Sequence, residues 1–306
     1  MGPYDHFIGT SPGPRRWEYT WKDVILYALS VGAKADELYY IYEGYSDGGL
    51  KGIPTFGSIP VWTQYGEPMR SGPFPAMMPV CNEIMRLHPT PDGFPAGLDW
   101  SNDLIIYRPF DVNKGTFLFE DVVSNIYARG GAPGLKGGVV VESELTVHDE
   151  ALNVICKNIH RGAFFHTGGY GGPPLPPAEG SIPERDPDYV AYDAMSPTQN
   201  ALYRVVCGTV RAEDHVDPAI ARAEGMAAPT MPGFCAIGYG CRMGIEAAIP
   251  GQPERVTRVK ADIRGVSFAG DELRLEAWKT ESGLVFRLLN NKTNAKILDR
   301  GILEFK

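Results

Sequence analysis

The stretch MPGFCAIGYGCRMGIEAAI, residues 231–249, decides how the second half of the chain folds. We predict a helix here, because small residues that permit close packing are spread through an apolar stretch. Pro232 and Gly233 suit a helix start, and Pro250 suits a stop. The small residues are Ala236, Gly238 and Gly240.

Strands are predicted after this helix. The segments are rich in β-branched and other apolar residues, and Gly or Asn interrupts them. The second half therefore has a helix followed by strands, which are RVTRVKADIRGVSF (255–268), DELRLEAWKTE (271–281), GLVFRLLNN (283–291) and ILDRGILEF (297–305).

The first half repeats this order. TWKDVILYALSVGA, residues 20–33, carries an approximate helical stripe of apolar residues, with Thr20 as N-cap and Gly32 as a stop. β-branched and aromatic runs with partial alternation follow and predict strands. These runs are DLIIYRPF (103–110), GTFLFEDVVSNIYA (115–128), KGGVVVESELTVHD (136–149) and ALNVICKNIHRGAFF (151–165).

A break separates the two halves. The stretch GGYGGPPLPPAEGSIPERDPD, residues 168–188, is crowded with Gly and Pro and cannot continue a helix or strand. We therefore predict an α+β protein of two modules, 1–170 and 196–306, joined by a linker at 171–195. Each module is expected to lay a long helix against an antiparallel sheet.

The composition is that of a soluble globular protein with a sizeable core. Of 306 residues, 43% are apolar and 22% are charged, and the net charge is −8 with a pI of about 5.3. An acidic balance argues against nucleic acid or an anionic membrane as the main partner. A local basic patch for a phosphorylated ligand stays open, because net charge does not describe charge distribution.

The cysteines and the start of the chain bear on disulfides, metal sites and cellular location. The five cysteines are widely spread and lack a CxxC pair, so we expect no disulfide framework and no metal site. Cys235 and Cys241 are interpreted as small buried apolar residues. The chain start lacks an apolar signal core and no stretch is long enough to span a membrane, so the expected location is the cytoplasm.

Ordered segments along nearly the whole chain resemble one family, the (R)-specific type 2 enoyl-CoA hydratases and MaoC-like dehydratases. These segments are YTWKDVILYALSVGA, YEGYSDGGLKGIPTFGSIPVW, IIYRPFDVNKGTFLFEDVVSNIYARGG, HRGAFFHTGGYGGP, QNALYRVVCG, HVDPAIARAEGMAAPTMPGFCAIGYGCR and RVKADIRGVSFAGDELRLEAWKTESGLVFRL.

The resemblance implies a double hot-dog fold, in which the first module houses the acyl chain and the second supplies catalysis. The implied reaction is reversible hydration of a trans-2-enoyl-CoA to the (3R)-hydroxyacyl-CoA. The family needs no metal or redox cofactor, and coenzyme A enters only as part of the substrate. A homodimer through the hot-dog sheets is expected by analogy alone.

Hydration of an enoyl thioester requires a base for water, an acid for C2, and a group that stabilises charge on the thioester oxygen. The family carries an Asp and a His in a segment of the form YRLSGDxNPLHxDP. Here the matching stretch is YRVVCGTVRAEDHVDP, residues 203–218, and its HVDP end matches well. The resemblance therefore implies that His215 is the catalytic histidine.

The family's aspartate is missing from this segment. Thr209 stands at its position, and a threonine hydroxyl cannot act as a carboxylate base near neutral pH. Glu213 and Asp214 are the nearby replacements. Glu213 would share a strand face with His215, whereas Asp214 would need a bulge or turn to point the same way.

Three hypotheses follow. A relocated carboxylate and His215 carry out hydration or dehydration. Alternatively, the site performs another acyl-CoA lyase or isomerase reaction, with His215 as sole acid/base and Thr209 as a hydrogen-bonding group. In the third, the protein is a non-catalytic acyl-CoA-binding partner subunit.

The oxyanion donor is expected to survive side-chain changes because it is a backbone group. In the family, a Gly amide at the start of the second-half helix points at the thioester carbonyl, and Gly233 occupies that place. Pro232 replaces the family's preceding His.

Four cations near the second-half strands and the junction are candidates for binding the coenzyme A phosphates, namely Arg161, Arg258, Lys260 and Arg264.

Overall fold

The computed structural model describes residues 2–61, 75–88, 97–130, 137–165, 167–168, 170–207, 213–223 and 225–306. The helices in these ranges are α1 (Trp21–Ser30), α2 (Leu38–Ile41), α3 (Met77–Leu87), α4 (Gln199–Cys207), α5 (Pro218–Ala223) and α6 (Gly233–Ala248). The strands are β1 (Arg15–Thr20), β2 (Leu98–Ile106), β3 (Lys114–Arg129), β4 (Gly138–His148), β5 (Val154–Phe164), β6 (Tyr189–Ala194), β7 (Val256–Ile263), β8 (Glu272–Lys279), β9 (Gly283–Asn290) and β10 (Lys296–Phe305). Short 3-10 helices lie at Asp5–Phe7, Pro54–Val61, Glu213–His215 and Pro253–Arg255.

The strands form one antiparallel sheet with the order β1-β3-β4-β5-β2-β7-β10-β9-β8-β6. Its first five members come from the first half of the chain and its last five from the second half. The halves meet where β2 pairs with β7, with Ser101 opposite Asp262 and Ile105 opposite Arg258. The two groups of strands therefore lie side by side in one sheet.

Helix α6 confirms the helix predicted at 231–249 and is the central packing element of the second half. Its residues from Phe234 to Ile245 are buried. A Cβ at Gly238 would lie 2.4 Å from Val31 Cγ1, and one at Gly240 would lie 2.9 Å from the Phe286 ring. The small residues therefore let α6 approach the region beside α1 on one side and the sheet on the other.

Helix α1 begins and ends at the predicted signals. Asp23 Oδ2 accepts from the Thr20 amide at 2.8 Å, and Thr20 Oγ1 accepts from the Lys22 amide at 3.3 Å. Gly32 has φ +83°, a left-handed conformation that stops the helix. Helix α1 is ten residues long and contacts α2, α4 and β1. The 3-10 helix Pro54–Val61 and α3 supply further cover for the first half of the sheet.

Two strands were not predicted, and both lie at the ends of the sheet order. Strand β1 pairs with β3, and β6 pairs with β8. Strand β6 falls inside the range 171–195 that the Gly/Pro-rich composition predicts as linker. Its backbone groups complete the hydrogen bonds of β8 on one side, so the end of this range belongs to the second half of the sheet.

One main hydrophobic core serves both halves. It joins residues of α1 and α6 to residues of both groups of strands, and Cys235 and Cys241 are buried in it as predicted. A smaller core lies between α3, β3 and β4. No helix in the described ranges is long and apolar enough to cross a membrane. No cluster of His, Cys, Asp and Glu in the same ranges could hold a metal ion.

A buried ion-pair network ties α6 to the first half. The Arg242 guanidinium donates to Asp193 of β6, to Glu37 Oε1 at 2.9 Å and to the Val31 carbonyl at 3.1 Å. The Arg242 and Asp193 side chains are 3% and 1% exposed. Removing one partner of such a pair leaves an uncompensated buried charge.

Arg242→Ala is therefore expected to lower the free energy of unfolding by about 3–5 kcal/mol. Arg16→Ala, which removes the exposed pair with Glu18, should cost less than about 1 kcal/mol. Urea denaturation followed by circular dichroism measures both. Equal losses in the two variants would show that the network does not hold the halves together.

Candidate active site

A cavity of about 640 Å³ lies where the two halves meet. The first half contributes Ile59, Met78, Phe165 and the start of β2 to its wall. The second half contributes the 3-10 helix Glu213–His215, the start of α6 and the residues that follow β7. Among the predicted site residues, those that line the cavity are Asp214, His215, Gly233 and Arg264.

The His215 ring is fixed through one of its nitrogens. Nδ1 lies 2.8 Å from the Thr230 carbonyl oxygen and 3.1 Å from Thr230 Oγ1. Because a carbonyl only accepts, we assign the hydrogen to Nδ1. In the neutral ring Nε2 then holds a lone pair, and it is the nitrogen left to exchange a proton with a ligand in the cavity.

Asn200 supports this arrangement and was not predicted as a site residue. Its buried Nδ2 donates at 2.9 Å to the His215 carbonyl and at 2.9 Å to the Thr230 carbonyl. One amide group therefore joins the histidine loop to the segment that leads into α6. Asn200 lies in the QNALYRVVCG stretch, but its spacing alone does not indicate this role.

Asp214 and His215 both face the cavity because a 3-10 helix, not an extended strand, carries them. This is the turn that the sequence required if Asp214 were to share a site with His215. Asp214 Oδ2 lies 3.6 Å from His215 Nδ1, on the side that Thr230 already occupies. Thr209 and the Glu213 side chain lie outside the described residues.

Gly233 is the first residue of α6, and it packs closely against the end of β7. A Cβ there would lie 2.5 Å from Ile263 Cδ1 and 3.6 Å from Asp99 Cβ. The first N–H groups of a helix have no intrahelical acceptor and sit at the positive end of its dipole. The start of α6 therefore presents a site for negative charge to the cavity.

Asp99 and His160 form a second acid–base pair at the cavity, which the sequence did not indicate. His160 Nε2 lies 2.9 Å from Asp99 Oδ1. The His160 side chain is 2% exposed, whereas that of Asp99 is 26% exposed and lines the cavity. The His160 ring packs edge-on against Phe234 of α6, with centroids 5.2 Å apart.

Two arginines surround Trp100 at this cavity. The Arg264 and Arg129 guanidinium carbons lie 4.4 and 5.2 Å from the centre of the Trp100 ring. The Nη1 atoms of both arginines are buried and have no hydrogen-bond partner among the described residues. Burial lowers the pKa of Arg264, so an anionic ligand would stabilise its charged form.

The other three predicted cations do not line this cavity. Arg258 pairs with Asp103 at 2.6 Å and with Glu179 at 2.7 Å, and Arg161 pairs with Glu142 at 2.7 Å. Together with Lys260 they lower the pKa of Glu179. The three cations lie on β5 and β7, the two strands that flank β2. Their binding to coenzyme A stays a prediction.

Comparison with known proteins agrees with this architecture. Residues 17–89 match the MFE-2 hydratase 2 N-terminal domain, and residues 179–299 match the MaoC like domain. The probable enoyl-CoA hydratase 2 of Dictyostelium discoideum is 26% identical over 303 residues, which cover 94% of this chain and 92% of that protein. The peroxisomal multifunctional enzyme type 2 of Mus musculus is 26% identical over 292 residues, which cover 94% of this chain and 36% of that longer enzyme.

Solved structures confirm the fold. A MaoC-like dehydratase from Phytophthora capsici superposes with a TM-score of 0.79 at 20% identity, over 97% of this chain and 95% of that chain. A Mycobacterium tuberculosis protein described as a double hotdog fold superposes with a TM-score of 0.52 at 14% identity, over 99% and 98% of the two chains. The chain therefore has the predicted double hot-dog fold.

Asn200→Ala should loosen the loop that holds His215. The change removes the donor of the His215 carbonyl and one of the two donors of the Thr230 carbonyl, which costs about 1–3 kcal/mol of unfolding free energy. Asn113→Ala, at an exposed position, should change it by less than about 0.5 kcal/mol. Urea denaturation compares the two, and an unchanged Asn200→Ala protein would contradict the bridging role.

Proposed function

Because the chain belongs to the family of (R)-specific type 2 enoyl-CoA hydratases and MaoC-like dehydratases, we propose that it interconverts trans-2-enoyl-CoA and (3R)-hydroxyacyl-CoA. One observation carries this proposal: His215, Asp214 and the start of α6 line a single cavity. An imidazole, a carboxylate and free backbone N–H groups are the kinds of group that thioester hydration requires.

Gly233 N–H is the proposed donor to the thioester oxygen. During hydration, negative charge moves onto that oxygen as the nucleophile adds to C3. A helix N-terminus is suited to this charge, because its N–H groups and dipole are fixed before the reaction starts. The absence of a Cβ at Gly233 lets a ligand approach the backbone closely.

His215 is the proposed proton carrier for C2. In hydration the protonated ring gives the Nε2 proton to C2, and in dehydration Nε2 takes it back. The carbonyl of Thr230 holds Nδ1 and orients the ring. The Asp214 carboxylate lies 3.6 Å from Nδ1, on the same side of the ring.

The walls of the cavity suggest how the substrate lies in it. Ile59, Met78 and Phe165 of the first half offer apolar surface to the acyl chain. Arg264 lines the cavity with Trp100 beside it, and its guanidinium is the proposed partner of an anionic part of coenzyme A. The reaction as proposed needs only proton transfers and hydrogen bonds, so no metal or redox cofactor takes part in it.

The proposal also covers the cellular location and the oligomeric state. We propose the cytoplasm as the location, although several relatives carry the word peroxisomal in their names. A homodimer through the hot-dog sheets remains a prediction by analogy.

The function is tested by following the loss of enoyl-thioester absorbance with a panel of trans-2-enoyl-CoA substrates. Wild-type protein should turn over at least one substrate and give the 3R product. His215→Ala should reduce kcat by at least about 10²-fold, because the acid/base group is lost. Binding of a saturated acyl-CoA should persist in the same variant.

His6→Ala is the matched control, since His6 is an exposed histidine far along the chain from the loop. It should retain wild-type activity. Turnover that survives His215→Ala would contradict the role of the histidine. Binding without turnover of any enoyl-CoA by the wild-type protein would instead favour an acyl-CoA-binding subunit.

Arg264→Ala should weaken binding of coenzyme A esters by about 10–100-fold, the loss expected for hydrogen bonds to a charged group. A substrate truncated to N-acetylcysteamine, which lacks all phosphates, should bind equally to both proteins. Isothermal titration calorimetry measures the affinities, with Arg287→Ala as control. An equal loss for both ligands would contradict a phosphate contact.

A further inference from the structure

We propose that Asp99, held by His160, is the carboxylate that takes the proton from the attacking water. This inference rests on the proposed function and adds to it a catalytic residue supplied by the first half of the chain. The family's aspartate position is Thr209 here, and the aspartate that acts as base would come from β2 instead.

The chemistry requires a second proton-transfer group besides His215. If the imidazolium gives its proton to C2, another group must take the proton that water loses when it bonds to C3. Threonine cannot act as that base near neutral pH. Two carboxylates, Asp99 and Asp214, line the described part of the cavity.

Asp214 is poorly placed for this task. Its nearest approach to His215 is at Nδ1, the nitrogen already tied to Thr230. It therefore lies on the opposite side of the ring from Nε2. A carboxylate beside Nδ1 is remote from Nε2, the nitrogen proposed to exchange a proton with C2, so the role of base falls to another group.

Asp99, a residue of β2, lies beside the first residue of α6. Its Cβ is 3.6 Å from the point where a Gly233 side chain would begin, so the carboxylate neighbours the proposed oxyanion donor. About a quarter of the side chain is exposed, and it lines the cavity. A ligand whose thioester oxygen binds the Gly233 N–H would bring its C2 and C3 atoms next to Asp99.

His160 fixes the carboxylate. Its Nε2 lies 2.9 Å from Asp99 Oδ1, and since a carboxylate only accepts, Nε2 donates the hydrogen bond. The ring is almost fully buried and packs on Phe234, the second residue of α6. Asp99 is thereby positioned relative to the same helix start that holds the thioester oxygen.

The bonds and charges of the step balance. The water oxygen bonds to C3, its O–H bond breaks, and the proton goes to the Asp99 carboxylate. The C2–C3 π electrons form the thioester enolate, whose oxygen accepts from Gly233 N–H. The enolate then collapses and C2 takes the Nε2 proton of His215. Return of one proton from Asp99 to His215 through solvent restores both groups.

Asp99→Asn tests this role while keeping an acceptor for His160. We expect kcat to fall by at least about 10²-fold, with the affinity for a saturated acyl-CoA changed by less than about threefold. Asp47→Asn, which makes the same charge change at an exposed site, should keep wild-type activity. Thermal denaturation checks that both variants are folded.

Chemical rescue supplies a readout that a structural role would not move. Asp99→Ala should be inactive alone, and added formate should restore part of the activity by acting as a free carboxylate base. Formate should have no effect on Asp47→Asn or on His215→Ala.

The two proposals fail in different ways. Wild-type turnover together with undiminished kcat in Asp99→Asn would overturn the role of Asp99 and leave the proposed function standing. Loss of activity in Asp99→Ala that formate does not restore would also count against a base at this position. Absence of turnover by the wild-type protein with every enoyl-CoA would overturn the proposed function, and this inference with it.

Discussion

The antiparallel pairing of β2 with β7 is the interaction on which the candidate site depends. It places Ser101 opposite Asp262, so the residues just before Ser101 run beside those just after Asp262. Trp100 therefore meets Arg264, and Asp99 and Ile263 both approach Gly233. A shift of this register by one residue would turn every side chain of β2 to the opposite face. The cavity exists because two halves of the chain share one sheet.

Helix α6 adds its first residues to the cavity formed beside β2 and β7. Its small residues let it pack closely in the shared core, and the buried Arg242 network ties it to the first half. The helix start packs against β2 and β7 at Gly233. The N–H groups at the start of α6 are useful for stabilising charge because their orientation is fixed. A preorganised site avoids the cost of reorienting dipoles during the reaction.

Much of the fold could be predicted from the sequence because local patterns carry it. The start and stop signals of α1 and α6 are short-range, and the strand runs alternate recognisably. The edge strands β1 and β6 were not predicted because they are only six residues long. Strand β6 also follows a stretch rich in Gly and Pro, which predicts a linker. The position of His215 could be inferred from a motif, since the HVDP sequence survives.

The rest of the site could not be predicted, because it is made by contacts that no local pattern encodes. Asp99 and His160 are 61 residues apart, and Asn200 reaches the carbonyl of Thr230 30 residues away. The cations were chosen by charge and by their place along the chain. In the structure, Arg161 and Arg258 pair with carboxylates on neighbouring strands, and Lys260 lies near Glu179. Arg264 alone among the four lines the cavity, because it follows β7 at its contact with Trp100.

The most direct test of the central claim is a crystal structure of the His215→Ala protein with a trans-2-enoyl-CoA. Our account predicts the thioester oxygen within about 3 Å of Gly233 N, with the C2–C3 bond between the cut-back His215 position and the Asp99 carboxylate. It also predicts an anionic group of coenzyme A beside Arg264. An acyl thioester bound outside this cavity, or one with its carbonyl turned away from the start of α6, would contradict the account.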